Sequence, residues 1–271
     1  MAKTPTKFDP RYRPCCGPTP HLAMAQTYLE QSGLAVLSGV LDQDQLASVR
    51  TAISAAQAPD GNGDTSSTDH AGLSPVGRLV LAPVIQNLLE HPTVSSLVTA
   101  RLGGKPRLSF CRASARAAGA SAGPMHAGQG YVSAPWPATP LTVTAIWAID
   151  PFTEATGTLR VMPDSANHDH GPESDLDYPE AVPLLCPAGS LIVMDGRVWH
   201  RSGANTTAGT GRTAVFAHFV RPWILPEVEW RDVIPPGQRD TLSPGLSELL
   251  GFGERATQHV LTRHGQQIWL G

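Results

Sequence analysis

Met125-His126-Ala127-Gly128 sets an imidazole two residues ahead of a glycine. On an extended strand, side chains at i and i+2 leave the same face, so His126 and position 128 would address one metal. Glycine brings no donor atom to it. A second histidine, His200, stands in Asp195-Gly196-Arg197-Val198-Trp199-His200-Arg201-Ser202-Gly203-Ala204-Asn205, and Arg212 follows twelve residues after it, at the head of an apolar run ending at Arg221. Two imidazoles and one carboxylate on one face of a non-haem iron leave positions open for a chelating cosubstrate and oxygen. A planar guanidinium holds a carboxylate through paired hydrogen bonds that a Lys ammonium matches poorly.

Between the two histidines, Trp147-Ala148-Ile149-Asp150 leads to a turn at Gly157 and a short strand before Pro163 and Ser165. As a set these residues resemble the phytanoyl-CoA dioxygenase-like branch of the Fe(II)/2-oxoglutarate oxygenases. There the pattern reads H-x-D, a distant histidine in a W-H-x-S-G-x-N setting, and an arginine about a dozen residues on. The resemblance runs from about Leu34 to Arg221. It implies a mainly β fold with peripheral α-helices, a double-stranded β-helix of the jelly-roll or cupin kind. It also implies His126 and His200 as iron ligands and Arg212 as the anchor of 2-oxoglutarate. Trp147 and Ser202 stand beside the cosubstrate in this reading; a core tryptophan and a turn-shaping serine are their alternatives.

The departure is Gly128, where the family carries Asp. The 2-oxoglutarate-dependent halogenases are similar in this respect, with Ala or Gly at the position and halide bound to iron, and an oxygen-poor gap beside a metal favours a small anion. The implied activity is chlorination of an unactivated C–H bond, with Fe(II), 2-oxoglutarate, chloride and O2 as cofactors, hydrogen abstraction first and halogen return second. A hydroxylase of the same family and a catalytically inactive ligand-binding relative remain the alternatives.

For the substrate, Arg112 and Arg116 share a face at period-two spacing and could clamp a phosphate or carboxylate. A solvated basic face is the alternative. Gly rather than Ala at position 128 points, by the same resemblance, to a free-standing small molecule, such as a nucleotide or another anionic natural-product precursor; a carrier-bound substrate stays open. His168-Asp169-His170 reads as a solvated loop, Asp195 and Asp150 as turn supports, and His218 as a packed or substrate-side histidine.

These residues need a scaffold, and the chain has one. Its 271 residues suffice for a full core, 41% are hydrophobic, and the formal net charge of −3 provides no drive toward nucleic acid or membrane. No stretch approaches the roughly 20 apolar residues of a membrane span, and the N-terminus lacks the apolar centre of a secretory signal, so a cytoplasmic protein is expected. Cys15, Cys16, Cys111 and Cys186 have neither zinc nor disulfide spacing. The expected organisation is one oxygenase-like domain over 1–271, with a flexible arm at 1–20, a core at 34–221 and an extension at 222–271.

Helical patterns cover 21–31, closed by Gly33, the segment after the capping box of Asp42 and Gln45, then 79–90 and 93–102. A strand is expected at 34–38. The polar stretch 59–72 reads as a lid or a tolerated insertion. Strands separated by turns dominate 106–221, and short helical patterns return at 243–250 and 254–264.

Overall fold

The computed structural model describes residues 22–58, 74–173 and 176–253, together with the backbone of 259–261 and 267–269. The arm at 1–20 with Cys15 and Cys16, and the stretch 59–72, lie outside the described residues. In chain order come α1 (Leu22–Ser32), β1 (Leu34–Leu37), α2 (Gln43–Gln57), α3 (Pro75–Leu81), α4 (Pro83–Leu89) and α5 (Pro92–Leu102). The strands β2 (Arg107–Arg116), β3 (His126–Ala127), β4 (Thr142–Ala148), β5 (Leu159–Val161), β6 (Val182–Pro183), β7 (Leu191–Asp195), β8 (Trp199–Ser202) and β9 (Arg212–Val220) follow. After them stand α6 (Trp230–Val233), α7 (Pro236–Arg239), α8 (Pro244–Leu249), β10 (His259–Leu261) and β11 (Gln267–Trp269).

Several of these elements follow from local chemistry. The Asp42 side chain accepts from Gln45 N at 2.8 Å while the Gln45 side chain accepts from Asp42 N at 2.9 Å, the reciprocal cap that starts α2. The helical pattern expected over 79–90 is two helices, because Pro83 cannot donate to the preceding turn and Ala82 is extended at φ −65°, ψ 125°. The pattern expected as helix over 254–264 is strand at 259–261, paired antiparallel with 267–269.

Two sheets form the jelly roll: a five-stranded one in the order β1-β7-β4-β9-β2 and a four-stranded one in the order β3-β8-β5-β6. Every residue of β4 is buried because the large sheet is covered on both faces. Val143, Ala145, Trp147, Leu191, Val193, Val215, Ala217 and Phe219 pack outward with α1 to α5, whereas Ile146, Ala148, Ile192, Met194 and Ala214 pack inward toward the small sheet. Each fully buried Val, Leu or Ile contributes about 1.5–3 kcal/mol, so alternate strand positions hold the helical layer and leave the others free to shape the interior.

The seam between layers is tied by charge. Asp195, fully buried at the end of β7, receives Arg101 of α5 and Arg197, whose Nη2 lies 2.9 Å from Oδ2 and whose backbone N lies 2.9 Å from Oδ1. Its own N–H donates to Gly33 O at 2.7 Å. Gly33 sits at φ +74°, with Ala166 Cβ and Val198 Cγ2 only 2.6 and 2.7 Å from where a Cβ would stand, so only glycine fits there. The side chains of Arg101 and Arg197 are 15% and 11% exposed, so Asp195→Ala should strand two buried cations and cost about 3–5 kcal/mol in urea unfolding. A loss below about 1 kcal/mol would mean that water already screens both guanidiniums.

Candidate active site

His126 on β3 and His200 on β8 are direct cross-strand partners, and their ring centroids stand 4.3 Å apart. Carbonyl oxygens only accept, so the Nδ1–H of His126 donates to Pro124 O at 3.1 Å and that of His200 to Val198 O at 2.9 Å. Both tautomers are thereby set, with the Nε2 lone pairs left as donors to a metal. Burial first, then the His126 ring and His218, push the pKa of His200 down to about 3. Among the described residues no group of three or more His, Cys, Asp or Glu is placed to hold a metal. The two imidazoles stand as a pair among the described residues, with Gly128 beside them.

They open onto a cavity of about 480 Å3. Phe110, Ile146, Met194 and Phe216 form much of its wall, Tyr131 and Leu225 reach it from exposed positions, and Ser109, Thr144, His218 and Glu227 supply polar atoms. Gly128 is part of this wall. A Cβ on it would lie 3.2 Å from Gly196 Cα and 3.5 Å from both His218 Cε1 and Thr142 Oγ1. The corner therefore carries chemistry that linear spacing did not show: among the described residues the buried Thr142 hydroxyl has no hydrogen-bond partner, and neither does the buried Nε2 of the neighbouring Gln129. His218 stacks on Phe110 with centroids 4.9 Å apart and shares a 2.8 Å hydrogen bond with Thr144 through Nδ1. Burial, aided by Arg112, pushes its pKa down to about 4.

The other residues singled out in the sequence part company. Arg212 is inside the barrel, 4% exposed, its Cζ 4.1 Å from the Phe152 ring centre, and its buried Nε and Nη1 have no partner. Burial and then the nearby Arg116 lower its pKa to about 10. Ser202, two residues beyond His200 on β8, keeps that strand's face, and its carbonyl accepts from Gly123 N at 2.9 Å. Trp147 does not join them: it packs outward with the helix-side core, one strand position out of phase with the cavity residues Thr144 and Ile146. Arg112 does not present a free cation either. It is ion-paired with Glu227 at the cavity rim, while Arg116 lies at the far end of β2, directly opposite Arg212.

The remaining polar residues have structural work. Asp150 accepts from Thr213 N at 2.8 Å and pairs with Arg50 at 3.1 Å. Asn205 donates to Arg116 O at 3.0 Å and Thr210 O at 2.9 Å, fixing the turn after β8. His168 and His170 are exposed but ring-packed against Trp199, at 4.8 and 5.4 Å, so this loop covers a tryptophan.

Comparison with known proteins adds to this geometry. Residues 29–214 match the family described as Phytanoyl-CoA dioxygenase (PhyH). The chain is 31% identical over 169 residues to "Dioxygenase af480" of Aspergillus fumigatus, a match covering 62% of this chain and 54% of that protein. It is 30% identical over 114 residues to "Dioxygenase andF" of Emericella variicolor, covering 41% and 38%. The chain thus spans about half or less of the length of these curated relatives. Among solved structures, the non-heme monooxygenase ThoJ superposes with a TM-score of 0.57 at 22% identity, covering 76% of this chain and 80% of that one. The epimerase SnoN, solved with Fe3+, alpha ketoglutarate and nogalamycin RO, gives 0.57 at 18% identity over 80% and 90%. Both are likenesses of fold. Among the described residues no helix is long and apolar enough to cross a membrane.

The depressed pKa of His218 has a measurable consequence for the metal-free protein. An unfolded histidine takes its proton near 6.5, whereas buried His218 refuses one until about pH 4, so the unfolded state binds more protons between those values. Stability attributable to this ring is present above pH 6.5 and is lost as pH falls toward 4, on the order of 3 kcal/mol in all. Thermal melts from pH 7.5 to 4.5 should fall less steeply for His218→Gln than for the wild type; parallel curves would show that the ring titrates normally.

Proposed function

The chain belongs to the phytanoyl-CoA dioxygenase family, and from that premise we propose that it is an Fe(II)/2-oxoglutarate-dependent oxidoreductase acting on an unactivated C–H bond of an apolar, free-standing small molecule. The observation that carries this reading is the paired His126 and His200, both held by Nδ1–H donation to a carbonyl, inside the same barrel as Arg212, whose buried Nε and Nη1 lack a hydrogen-bond partner among the described residues. The residues fit the groups that the family uses. The two Nε2 atoms suit a divalent iron, and the orphaned N–H donors of Arg212 call for an anion, which the distal carboxylate of 2-oxoglutarate would satisfy. Bound together, iron and 2-oxoglutarate supply the oxidising power for C–H cleavage by spending O2.

The chain's own residues set the conditions. His200, pushed to about 3, stays unprotonated and available as a ligand across the neutral range. Phe110, Ile146, Met194 and Phe216 exclude water from the space beside the histidines and favour an apolar substrate surface. His218, Ser109 and Thr144 give that surface a few polar contacts to orient it. An anionic substrate such as a nucleotide loses its support, because it rested on Arg112 and Arg116 and the first is committed to Glu227 while the second faces Arg212.

A second reading, halide transfer rather than hydroxylation, rests on Gly128 and the unpartnered Thr142 hydroxyl beside it. A buried O–H without a partner is a donor for a small anion at the corner where the family carries Asp.

Anaerobic addition of Fe(II) and 2-oxoglutarate should produce a visible charge-transfer band that His126→Ala and His200→Ala abolish, and admission of O2 should yield succinate. Neither band nor succinate from the intact chain would leave a ligand-binding relative without catalysis. In saturating chloride, a shift of that band, lost in Gly128→Asp, together with a chlorine isotope pattern in the product, supports halide transfer; an unmoved band and a product heavier by oxygen alone supports hydroxylation.

A further inference from the structure

Arg116 and Arg212 are the terminal register partners of the β2–β9 ladder, so two guanidinium groups stand side by side on one face of the sheet. Like charges directly opposite each other on neighbouring strands repel, and burial strengthens the repulsion. Arg212 is 4% exposed and Arg116 half-buried. The pair is nevertheless left without a counter-ion, since neither arginine has a carboxylate partner among the described residues. Asp150, the carboxylate near Arg212 among the described residues, is already bound to Thr213 N at 2.8 Å and Arg50 at 3.1 Å. Cys186, also near Arg212, holds its proton, burial first pushing its thiol up to about 11.

The orientation of both groups is fixed from behind. Arg116 Nε donates to Gly203 O at 3.2 Å, and Asn205 holds the Arg116 carbonyl at 3.0 Å; Arg212 is seated over the Phe152 ring at 4.1 Å. Three buried N–H-bearing atoms stay unsatisfied: Nη2 of Arg116 and Nε and Nη1 of Arg212. Elsewhere in the molecule a similar pair of buried cations, Arg101 and Arg197, shares the carboxylate of Asp195. Here no such acid pairs with either arginine among the described residues.

We propose that Arg116 and Arg212 form a two-guanidinium clamp on the distal carboxylate of the 2-oxo acid cosubstrate, which makes Arg116 a cosubstrate-binding residue and selects dianionic over monoanionic 2-oxo acids. The proposal rests on the 2-oxoglutarate reading above and reassigns Arg116 from the substrate to the cosubstrate. A shared carboxylate removes the repulsion and satisfies donors on both arginines at once, so each arginine improves the site only when the anion is present.

The test is calorimetric titration and thermal melting of the full chain with Mn(II), under anaerobic conditions, with 2-oxoglutarate and with 2-oxopentanoate, which lacks the distal carboxylate. Arg116→Met should weaken 2-oxoglutarate about 30-fold or more while leaving 2-oxopentanoate within about threefold. The same variant without ligand should melt higher than the wild type, a gain that loss of a merely structural arginine would not produce, and Arg116→Lys should recover part of the 2-oxoglutarate affinity. Unchanged 2-oxoglutarate binding in Arg116→Met, or equal loss for both ligands, overturns the clamp while the cosubstrate reading stands. Failure of the wild type to bind 2-oxoglutarate overturns both.

Discussion

Strand alternation on the large sheet governs what this molecule can do. Because β4, β7 and β9 are covered on both faces, each residue must serve either the helical layer or the interior, and a shift by one position would exchange the two sets. Val143, Ala145 and Trp147 hold α1 to α5. Thr144 and Ile146, one step out of phase, reach the cavity with Phe216 and His218 from β9 and Met194 from β7. The small sheet obeys the same rule, and its register sets His126 against His200. The site is thus a by-product of the phase in which two sheets bury their apolar residues, and its geometry is as rigid as that burial.

Buried charge is handled in two ways, and the contrast separates stability from binding. Asp195 pairs with two cations at once, joining the end of β7 to α5 and to the turn at Gly33. A buried carboxylate shared by two guanidiniums holds its groups in one arrangement, although Arg101 Nε is left without a partner among the described residues. Arg116 and Arg212 form the opposite case: cations held in place by Gly203 O and Phe152 with donors left over. Unsatisfied buried donors cost about 1–3 kcal/mol each, a cost the packed core must carry until an acceptor arrives.

Much of this was legible in the linear sequence where local rules dominate. The capping box at Asp42 and the glycine closing α1 follow from short spacings, whereas His126, His200, Arg212 and the departure at Gly128 stood out only through the family resemblance. Trp147 was not: with every residue from Thr142 to Ala148 buried, periodicity carries no information about which face looks inward. Arg112 and Arg116 share a face as their spacing implied, yet their partners, Glu227 and Arg212, are fixed by contacts across more than 90 residues of chain. Thr142 escaped notice because a threonine in an apolar run reads as strand filler; only its lack of a partner marks it. The strand at 259–261 defeated a local helical pattern because its pairing with 267–269 is a tertiary contact.

Gly128 is more than a deleted ligand. Its would-be Cβ presses on Gly196 Cα at 3.2 Å, and a Cβ on Gly196 would in turn meet Thr142 Oγ1 at 2.0 Å, so two glycines and a threonine are packed as one block at the edge of β4 and β7. A carboxylate at 128 would require that block to give, and its absence is built into the neighbours as well as into one codon. Around the corner stand a neutral His218 and a hydroxyl without an acceptor. What the corner demands is a small acceptor for the Thr142 proton. Among the described residues neither Gly196 Cα nor His218 Cε1, the other near neighbours of Gly128, can accept that proton, so the character of the corner is set by the packing of this block rather than by any one side chain.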